Sequence, residues 1–271
     1  MTSSSKSTLA IQWFESKGWT AFPFQKETWK LYLDGKHGIV NAPTGSGKTF
    51  SLIVPILLEG LQSKTITAGK IQALWISPIR ALTKEIKFAT EQAIEGLGLD
   101  WKVGIRSGDT STTDRQKQKE NPPEILIITP ESIHVLLASQ GYISFFENIK
   151  AVVVDEWHEL MGSKRGVQVT LALSRFLRIA PEMRIWAISA TIANLDEAAD
   201  VLLGAKAKDG FAIVKSSVKK RISVESIIPD EIDNYPWAGH LGIRMLKQII
   251  PVIRSSKSTL IFTNTLSLIH I

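Results

Sequence analysis

The 271-residue sequence contains no cysteine, which excludes disulfide bonds and thiolate metal sites and fits a reducing compartment. Long apolar runs are also missing, because none approaches the roughly 18 residues that a membrane helix needs. The Ser/Lys-rich residues 1–8 lack the apolar core of a secretory signal. Repeats and low-complexity tracts are absent as well. We therefore expect a cytoplasmic globular protein without a membrane partner.

The composition, 44% hydrophobic and 21% charged, is that of a globular chain long enough for one large or two modest domains. The formal net charge is +6. A positive excess of this size suits a polyanionic partner without requiring one, since many proteins without such a partner share it.

Short apolar runs that alternate with helix-like stretches predict the fold. The runs are residues 38–40, 71–76, 102–105, 125–128, 151–154 and 185–188. Such continuous β-branched strands between helices are typical of a mainly parallel α/β sheet with helices on both faces. Small or polar residues follow each later strand, at the edge where parallel sheets bind ligands.

The first of these strands leads into Ala-Pro-Thr-Gly-Ser-Gly-Lys-Thr, residues 42–49, and then into a helix-like run. This order is typical of a phosphate-binding loop, although the general pattern has glycine in place of Ala42. The loop residues that we expect to hold a nucleotide are Thr44, Gly45, Ser46, Gly47, Lys48 and Thr49. The two glycines let backbone N–H groups turn toward phosphate, Lys48 reaches the β- and γ-phosphates, and Thr49 holds Mg²⁺. The alternative, an ordinary Gly/Ser turn, does not explain the flanking strand and helix.

A second acidic element, Asp155-Glu156, follows the strand at 151–154 directly. An Asp at the end of a buried strand is what ATPases use to hold Mg²⁺, and an adjacent Glu can orient and deprotonate the attacking water. Two acids can also simply end a strand. With a phosphate loop predicted in the same sheet, we favour the catalytic interpretation.

The pattern changes near Gly210, where we place a domain boundary between residues 1–209 and 210–271. The second segment is too short for a complete α/β domain. In it we expect a strand at 222–229, a helix at 242–253 and a strand at 259–262. The basic residues Lys215, Lys219, Lys220 and Arg221 form either a polyanion contact or a solvated face.

Several motifs together resemble superfamily 2 helicases. Asp-Glu-Trp-His at 155–158 resembles their Asp-Glu-x-His box, residues 42–49 have their form of the phosphate loop, and Ser-Ala-Thr at 189–191 is identical to their third motif. Residues 77–82 and 129–132 resemble motifs Ia and Ib. Within the superfamily the likeness is to large helicase-related proteins, particularly bacterial ligase-associated DEXH-box repair helicases. It rests on residues 155–160, 164–166 and 237–240 and extends from Trp13 to about Thr265.

The resemblance implies one complete RecA-like ATPase domain and a truncated start of a second. In this family ATP is clamped between two such domains, and the second supplies arginine fingers. Their motif would lie beyond residue 271, and the apolar end at 266–271 does not fit the family pattern. We therefore expect these 271 residues to bind ATP with Mg²⁺ and to hydrolyse it slowly.

The resemblance also implies roles for individual residues. Gln25 is expected to read adenine, because a carboxamide donates and accepts at once. His158, with Ser189, Ala190 and Thr191, is expected to couple the nucleotide to nucleic acid. The residues expected at the nucleic-acid backbone are Arg80, Gly108, Asp109, Thr110, Thr129 and Ser132. Arg165 either faces the strand or is an ordinary solvated arginine.

The implied function is that of an ATP-dependent DNA helicase or translocase in bacterial DNA repair. Single-stranded DNA is the expected partner, and repair enzymes such as a ligase or nuclease are further candidates. An RNA helicase is the first alternative, because phosphate contacts discriminate poorly between DNA and RNA. A nucleotide-gated binding module without turnover is the second, and a phosphate-loop kinase fits the motif set poorly.

Overall fold

The computed structural model describes residues 3–61, 69–190, 192–218, 223–227 and 246–262. The chain forms two compact units, Met1–Val218 and Lys219–Ile271. In the first unit the strands are β1 (His37–Asn41), β2 (Ala73–Ile76), β3 (Val103–Arg106), β4 (Ile125–Ile128), β5 (Ala151–Val154), β6 (Arg184–Ser189) and β7 (Phe211–Lys215). Its helices are α1 (Ser3–Ser16), α2 (Pro23–Leu33), α3 (Lys48–Gly60), α4 (Arg80–Leu97), α5 (Thr112–Glu120), α6 (Pro130–Leu137), α7 (Tyr142–Phe146), α8 (Trp157–Leu160), α9 (Lys164–Ile179) and α10 (Leu195–Leu203), the last followed by a 3₁₀ turn, Gly204–Asp209.

The seven strands form one sheet in the order β3-β4-β2-β5-β6-β1-β7, and every pairing in it is parallel. Residues from α1 to α4 share one buried cluster with alternate strand residues such as Trp75 and Val153. Residues from α6 to α10 share a second cluster with the intervening strand residues, such as Leu74 and Val152. The five inner strands therefore bury both faces, which explains their continuous apolar sequences, whereas the edge strands β3 and β7 are partly exposed. The parallel sheet between two helical layers confirms the predicted α/β class.

The register of the sheet brings the ends of several strands to one edge. Asn41 of β1 lies beside Ser189 of β6, and Val154 of β5 lies beside Ala187 of the same strand. On the other side of β5, Val154 is level with Ile76 of β2. Because all strands run in the same direction, the residues after β1, β2, β5 and β6 share this carboxyl edge.

Helix α5 was not predicted, because it consists only of polar residues and lacks an apolar stripe. Local interactions explain why it forms. The Ser111 hydroxyl accepts a hydrogen bond from the Asp114 N–H, Asp114 lies in the first turn, and Lys117 and Lys119 lie in the last turn. These charges have the signs that stabilise the two ends of a helix dipole.

The boundary expected near Gly210 falls inside the first unit. Strand β7 pairs along β1, and the unit runs on to Val218. β7 was missed because it is short and follows a glycine-containing turn. In the described part of the second unit, helix α11 (Leu246–Ser255) matches the expected helix. The two expected strands there were wrong, because residues 223–227 and 259–262 have no strand structure. The 237–240 motif, the 266–271 end and Lys219, Lys220 and Arg221 lie outside the described residues.

None of the helices in the described part of the chain has the length and apolar character that a membrane crossing requires.

A half-buried charge network ties α2 and α3 to β6. The guanidinium of Arg184 pairs with the Glu59 carboxylate, whose other oxygen accepts a hydrogen bond of 2.9 Å from the Tyr32 hydroxyl. The same guanidinium lies 4.4 Å from the centre of the Tyr32 ring. Burial raises the pKa of Tyr32, so this hydroxyl stays protonated and donates.

We predict that Glu59→Ala lowers the free energy of unfolding by about 2 kcal/mol, because it leaves the Arg184 charge without its partner in a mostly buried place. Urea unfolding measures the change. Glu91→Ala is the matched control, since Glu91 is 52% exposed and pairs with Lys87 on the surface of α4. It should cost less than about 0.5 kcal/mol. Equal losses in the two variants would contradict a structural role for the network.

Candidate functional site

The phosphate loop connects β1 to α3 in the predicted order. Gly45 and Gly47 have φ values of +77° and +76°, the left-handed region that favours glycine. Gly47 caps α3, and Lys48 is the first residue of the helix. The Ser46 hydroxyl donates to the Pro43 carbonyl at 2.7 Å, which closes the loop. Backbone N–H groups at the start of α3 are therefore available for an anion, as this motif requires.

Gln25 is buried at the start of α2, at 2% exposure, and both ends of its carboxamide are engaged. Its Nε2 donates to the Gly47 carbonyl at 2.9 Å, and its Oε1 accepts from the Phe22 N–H at 2.8 Å. Gln25 thus holds the phosphate loop against the start of α2. Phe24 is part of the core, whereas Phe22 is 40% exposed beside Gln25. The adenine-reading role of Gln25 stays a prediction.

Lys48 and Glu156 meet although 108 positions separate them. The Lys48 Nζ lies 3.3 Å from Glu156 Oε1, and both side chains are largely buried. Glu156 has φ +44° and ψ +48°, the one positive φ outside glycine among the described residues. A left-handed glutamate costs on the order of 1 kcal/mol, and such backbone strain concentrates at functional sites. The turn at Glu156 directs its carboxylate from the end of β5 toward the phosphate loop.

Asp155 directly follows β5 and is a buried carboxyl group, 6% exposed. Its Oδ2 accepts from the Trp75 indole N–H at 3.3 Å and its Oδ1 from the Glu156 N–H at 2.9 Å. Burial, followed by the neighbouring Glu156 charge, raises the pKa of Asp155 from 3.8 to about 6. The role of Trp75 was missed, because an indole inside an apolar strand looks like core in a sequence.

A third contact joins the acidic pair to the end of β6. His158 Nδ1 lies 3.0 Å from the hydroxyl oxygen of Ser189 and 3.4 Å from Glu156 Oε2. Ser189 is fully buried, and its carbonyl accepts from the Ala42 N–H at 3.0 Å. The Ala190 carbonyl lies 3.4 Å from the Asn41 side-chain nitrogen. The structure therefore brings five predicted residues together, namely Lys48, Asp155, Glu156, His158 and Ser189. Thr191 lies outside the described residues.

The predicted nucleic-acid residues lie on the loops after β2, β3 and β4. Arg80 begins α4 and pairs at 3.2 Å with Asp109, and both are well exposed. The Thr110 hydroxyl accepts a hydrogen bond from the Ser107 N–H at 2.9 Å, which closes the turn after β3. The hydroxyls of Thr129 and Ser132 lie 3.1 Å apart at the start of α6. A cleft of about 150 Å³ is lined by Arg80, Arg106, Gly108, Arg115, Thr129, Glu131, Ser132 and Val135.

Two arginines in this cleft were missed. Arg115 donates from Nη2 to the Ser107 and Gly108 carbonyls, both at 3.0 Å. Arg106 is 4% exposed, and burial followed by the Arg115 charge lowers its pKa. Its place at the end of β3 offered a signal, because ligand-binding residues follow strands in such sheets. Arg115 offered none, since its helix was not predicted.

Two predicted Mg²⁺ ligands, the Thr49 hydroxyl and the Asp155 carboxylate, lie at the start of α3 and the end of β5. Oxygen ligands of this kind suit Mg²⁺, which takes only one or two protein groups and completes its shell with phosphate and water. A cation would also stabilise the anionic form of Asp155, whose pKa burial raises. The residues present therefore fit a nucleotide-bound Mg²⁺.

Comparison with known proteins matches residues 22–201 to the family model of DEAD/DEAH box helicases. The ATP-dependent helicase Lhr-Core of Methanocaldococcus jannaschii is 36% identical over 268 residues, which cover 94% of this chain and 31% of that protein. Lhr-Core protein 2 of Thermococcus barophilus is 33% identical over 275 residues, with 94% and 31% coverage. The chain thus spans about three tenths of the length of these curated relatives.

Among solved structures, the helicase Lhr of Mycobacterium smegmatis, bound to single-stranded DNA and AMP-PNP, superposes with a TM-score of 0.77. It is 28% identical in sequence, and the match covers 96% of this chain and 34% of that chain. These likenesses confirm the helicase resemblance and the RecA-like fold that the motifs predicted.

We predict that Asp155→Asn makes the metal-free protein more stable at pH 8 but not at pH 4. The folded protein holds the Asp155 proton more tightly than the unfolded chain does, so the carboxyl destabilises the fold increasingly as pH rises from about 4 to about 6. Above that window the variant should gain about 3 kcal/mol relative to pH 4, measured by urea unfolding in EDTA at several pH values.

Asp100→Asn, at an exposed loop carboxyl, is the control and should show no such pH-dependent gain. A gain for Asp155→Asn that is the same at pH 4 and pH 8 would contradict the raised pKa.

Proposed function

Because the chain belongs to the DEAD/DEAH box helicase family, we propose that it is the ATP-binding part of a motor that moves on single-stranded DNA. One observation carries this proposal. Lys48 of the phosphate loop lies 3.3 Å from Glu156, and His158, beside Glu156, lies 3.0 Å from Ser189 at the end of β6. This arrangement connects a nucleotide site to a second strand end, as a coupled motor requires.

Lys48 and Glu156 have to separate when a nucleotide binds. The phosphates of ATP would enter the loop over Gly45 and Gly47 and offer Lys48 more negative charge than one carboxylate does. Glu156 is then released to orient a water molecule and to accept its proton. Thr49 and Asp155 would hold Mg²⁺, which would supply positive charge beside the phosphates.

The nucleic-acid face of the proposal consists of Arg80, Gly108, Asp109, Thr110, Thr129 and Ser132. One arginine, hydroxyls and backbone N–H groups suit phosphate contacts that carry no sequence information. The choice of single-stranded DNA is supported by the Lhr structure of M. smegmatis, which contains that ligand. The narrower assignments stay proposals: a role in DNA repair, a ligase or nuclease as partner, and the bacterial cytoplasm and nucleoid as location.

The isolated chain should turn over ATP slowly. Arginine fingers contribute about 10³-fold or more in related NTPases, and the family carries them on a second RecA-like domain. The sequence predicts a first domain at 1–209 and the beginning of a second at 210–271, which would place Lys48 and Thr49 on the first-domain side of that cleft.

Two substitutions separate binding from turnover. Lys48→Ala should weaken AMP-PNP binding about 10- to 100-fold, because it removes a charge-assisted phosphate contact. Glu156→Gln should leave binding intact and lower hydrolysis about 100-fold or more. Isothermal titration and a phosphate-release assay measure the two effects, with exposed Lys84→Ala as the control for Lys48.

If Lys48→Ala binds nucleotide as tightly as the unchanged chain, the loop is not the ATP site. If Glu156→Gln and the unchanged chain hydrolyse ATP equally slowly, the chain is a nucleotide-gated binding module.

The nucleic-acid preference is tested by adding oligo-dT or oligo-rU of equal length to the ATPase assay of a longer chain that includes a complete second RecA-like domain. We expect oligo-dT to raise the rate about five-fold or more and oligo-rU to raise it less. A larger effect of oligo-rU would favour the RNA helicase alternative. No effect of either would contradict the motor assignment.

A further inference from the structure

We propose that Arg165 is a positioning residue that holds two nucleic-acid-facing loops against the turn that follows the catalytic carboxylates. The loops are residues 77–80, after β2, and residues 129–132, after β4. The inference rests on the proposed function and adds to it the means by which the ATP site and the nucleic-acid face move together.

One guanidinium reaches both loops. Arg165 Nη2 donates to the Pro78 carbonyl at 2.8 Å, and its Nε donates to Glu131 Oε1 at 2.7 Å. The Arg165 side chain is 40% exposed, and that of Glu131 is 52% exposed. A planar guanidinium can satisfy two separate acceptors in fixed directions, which the single ammonium of lysine cannot do.

The position of Arg165 along its helix is unfavourable without these contacts. It lies in the first turn of α9 beside Lys164, and no acidic residue lies in that turn. Two cations at the positive end of a helix dipole are destabilising. Glu131 supplies the missing negative charge from the first turn of α6. Burial raises the pKa of Glu131, but hydrogen bonds from the backbone and Arg165 outweigh this and lower it overall.

The start of α9 is fastened to the helix that bears His158. The Ser163 hydroxyl donates to the Leu160 carbonyl at 2.7 Å and accepts from the Gly166 N–H at 3.1 Å. A Cβ at Gly166 would lie 2.0 Å from the same Leu160 carbonyl, so only glycine permits this approach. Displacement of α8, which directly follows Glu156, must therefore move Arg165 as well.

Both acceptors of Arg165 adjoin residues that we assign to the nucleic-acid face. The Pro78 carbonyl lies two residues before Arg80, at the entry to α4. Glu131 lies between Thr129 and Ser132, whose hydroxyls are 3.1 Å apart. Loss of Arg165 would let both loops shift relative to the carboxylates, without removing a ligand of nucleotide or strand.

The test measures the affinity of the full chain for fluorescent oligo-dT with and without AMP-PNP and Mg²⁺, by anisotropy. The quantity of interest is the oligo-dT affinity with AMP-PNP and Mg²⁺ divided by the oligo-dT affinity without them. The variants are Arg165→Ala, Arg165→Lys, Glu131→Ala and the double variant R165A/E131A, with Arg178→Ala, an exposed arginine of the same helix, as the control. Urea midpoints show that each variant is folded.

We expect each single change at Arg165 or Glu131 to lower the ratio about five-fold, the double variant to lose no more than either alone, and Arg178→Ala to keep the ratio. Failure of Arg165→Lys to restore the ratio supports positioning over simple charge. If Arg165 instead contacted a phosphate of the strand directly, Glu131→Ala would leave oligo-dT binding equal or make it tighter. That result would overturn the inference.

Suppose that the oligo-dT affinity of the unchanged chain responds to AMP-PNP but every variant keeps the same ratio. That result would overturn the inference about Arg165 and leave the proposed function standing. A chain whose oligo-dT affinity does not respond to AMP-PNP would overturn the proposed function, and the inference with it.

Discussion

The parallel register of β1, β5 and β6 is the constraint on which the rest of the site depends. It brings Asn41 level with Ser189 and Val154 level with Ala187, so the residues that follow these strands share one edge. The strands hold this register because both their faces are buried, and a slip by one residue would expose apolar side chains. Groups from positions 42–49, 155–158 and 189–190 then meet without a long loop to carry them.

Within this frame the site holds its charges in a strained and partly desolvated arrangement. Glu156 adopts a left-handed conformation, and burial raises the pKa of Asp155 to about 6. Lys48 contacts Glu156, and Trp75 donates a hydrogen bond to Asp155 from the sheet. The backbone conformation of Glu156 and the burial of the Asp155 charge are unfavourable by themselves, which is usual at sites whose charges rearrange when a ligand binds.

Much of this could be predicted from the sequence, because the informative signals are local. Strands β4 and β5 are short runs of buried β-branched residues, and their bounds were predicted correctly. Lys48, Asp155 and Glu156 follow their strands at the spacing that phosphate chemistry requires. Their places along the chain are visible in the sequence, whereas the register of β1, β6 and β5 brings them together in space.

The remainder depends on tertiary neighbours that no local pattern contains. In the sequence Trp75 looks like an ordinary core residue. Its hydrogen bond to Asp155 is seen only in the structure, where β5 lies beside β2. Helix α5 lacks an apolar stripe, so the role of Arg115 was hidden with it. Conversely, residues 259–262 have strand-like composition without strand structure, since β propensity alone does not make a strand without a partner.

The central claim is that one cluster of side chains links nucleotide to nucleic acid. It is tested most directly by titrating AMP-PNP and Mg²⁺ into the chain with and without saturating oligo-dT. Linkage requires that each ligand change the affinity of the other by the same factor. The account predicts that AMP-PNP binds more tightly when oligo-dT is present. An identical AMP-PNP affinity in the two titrations, with oligo-dT shown to be bound, would contradict it.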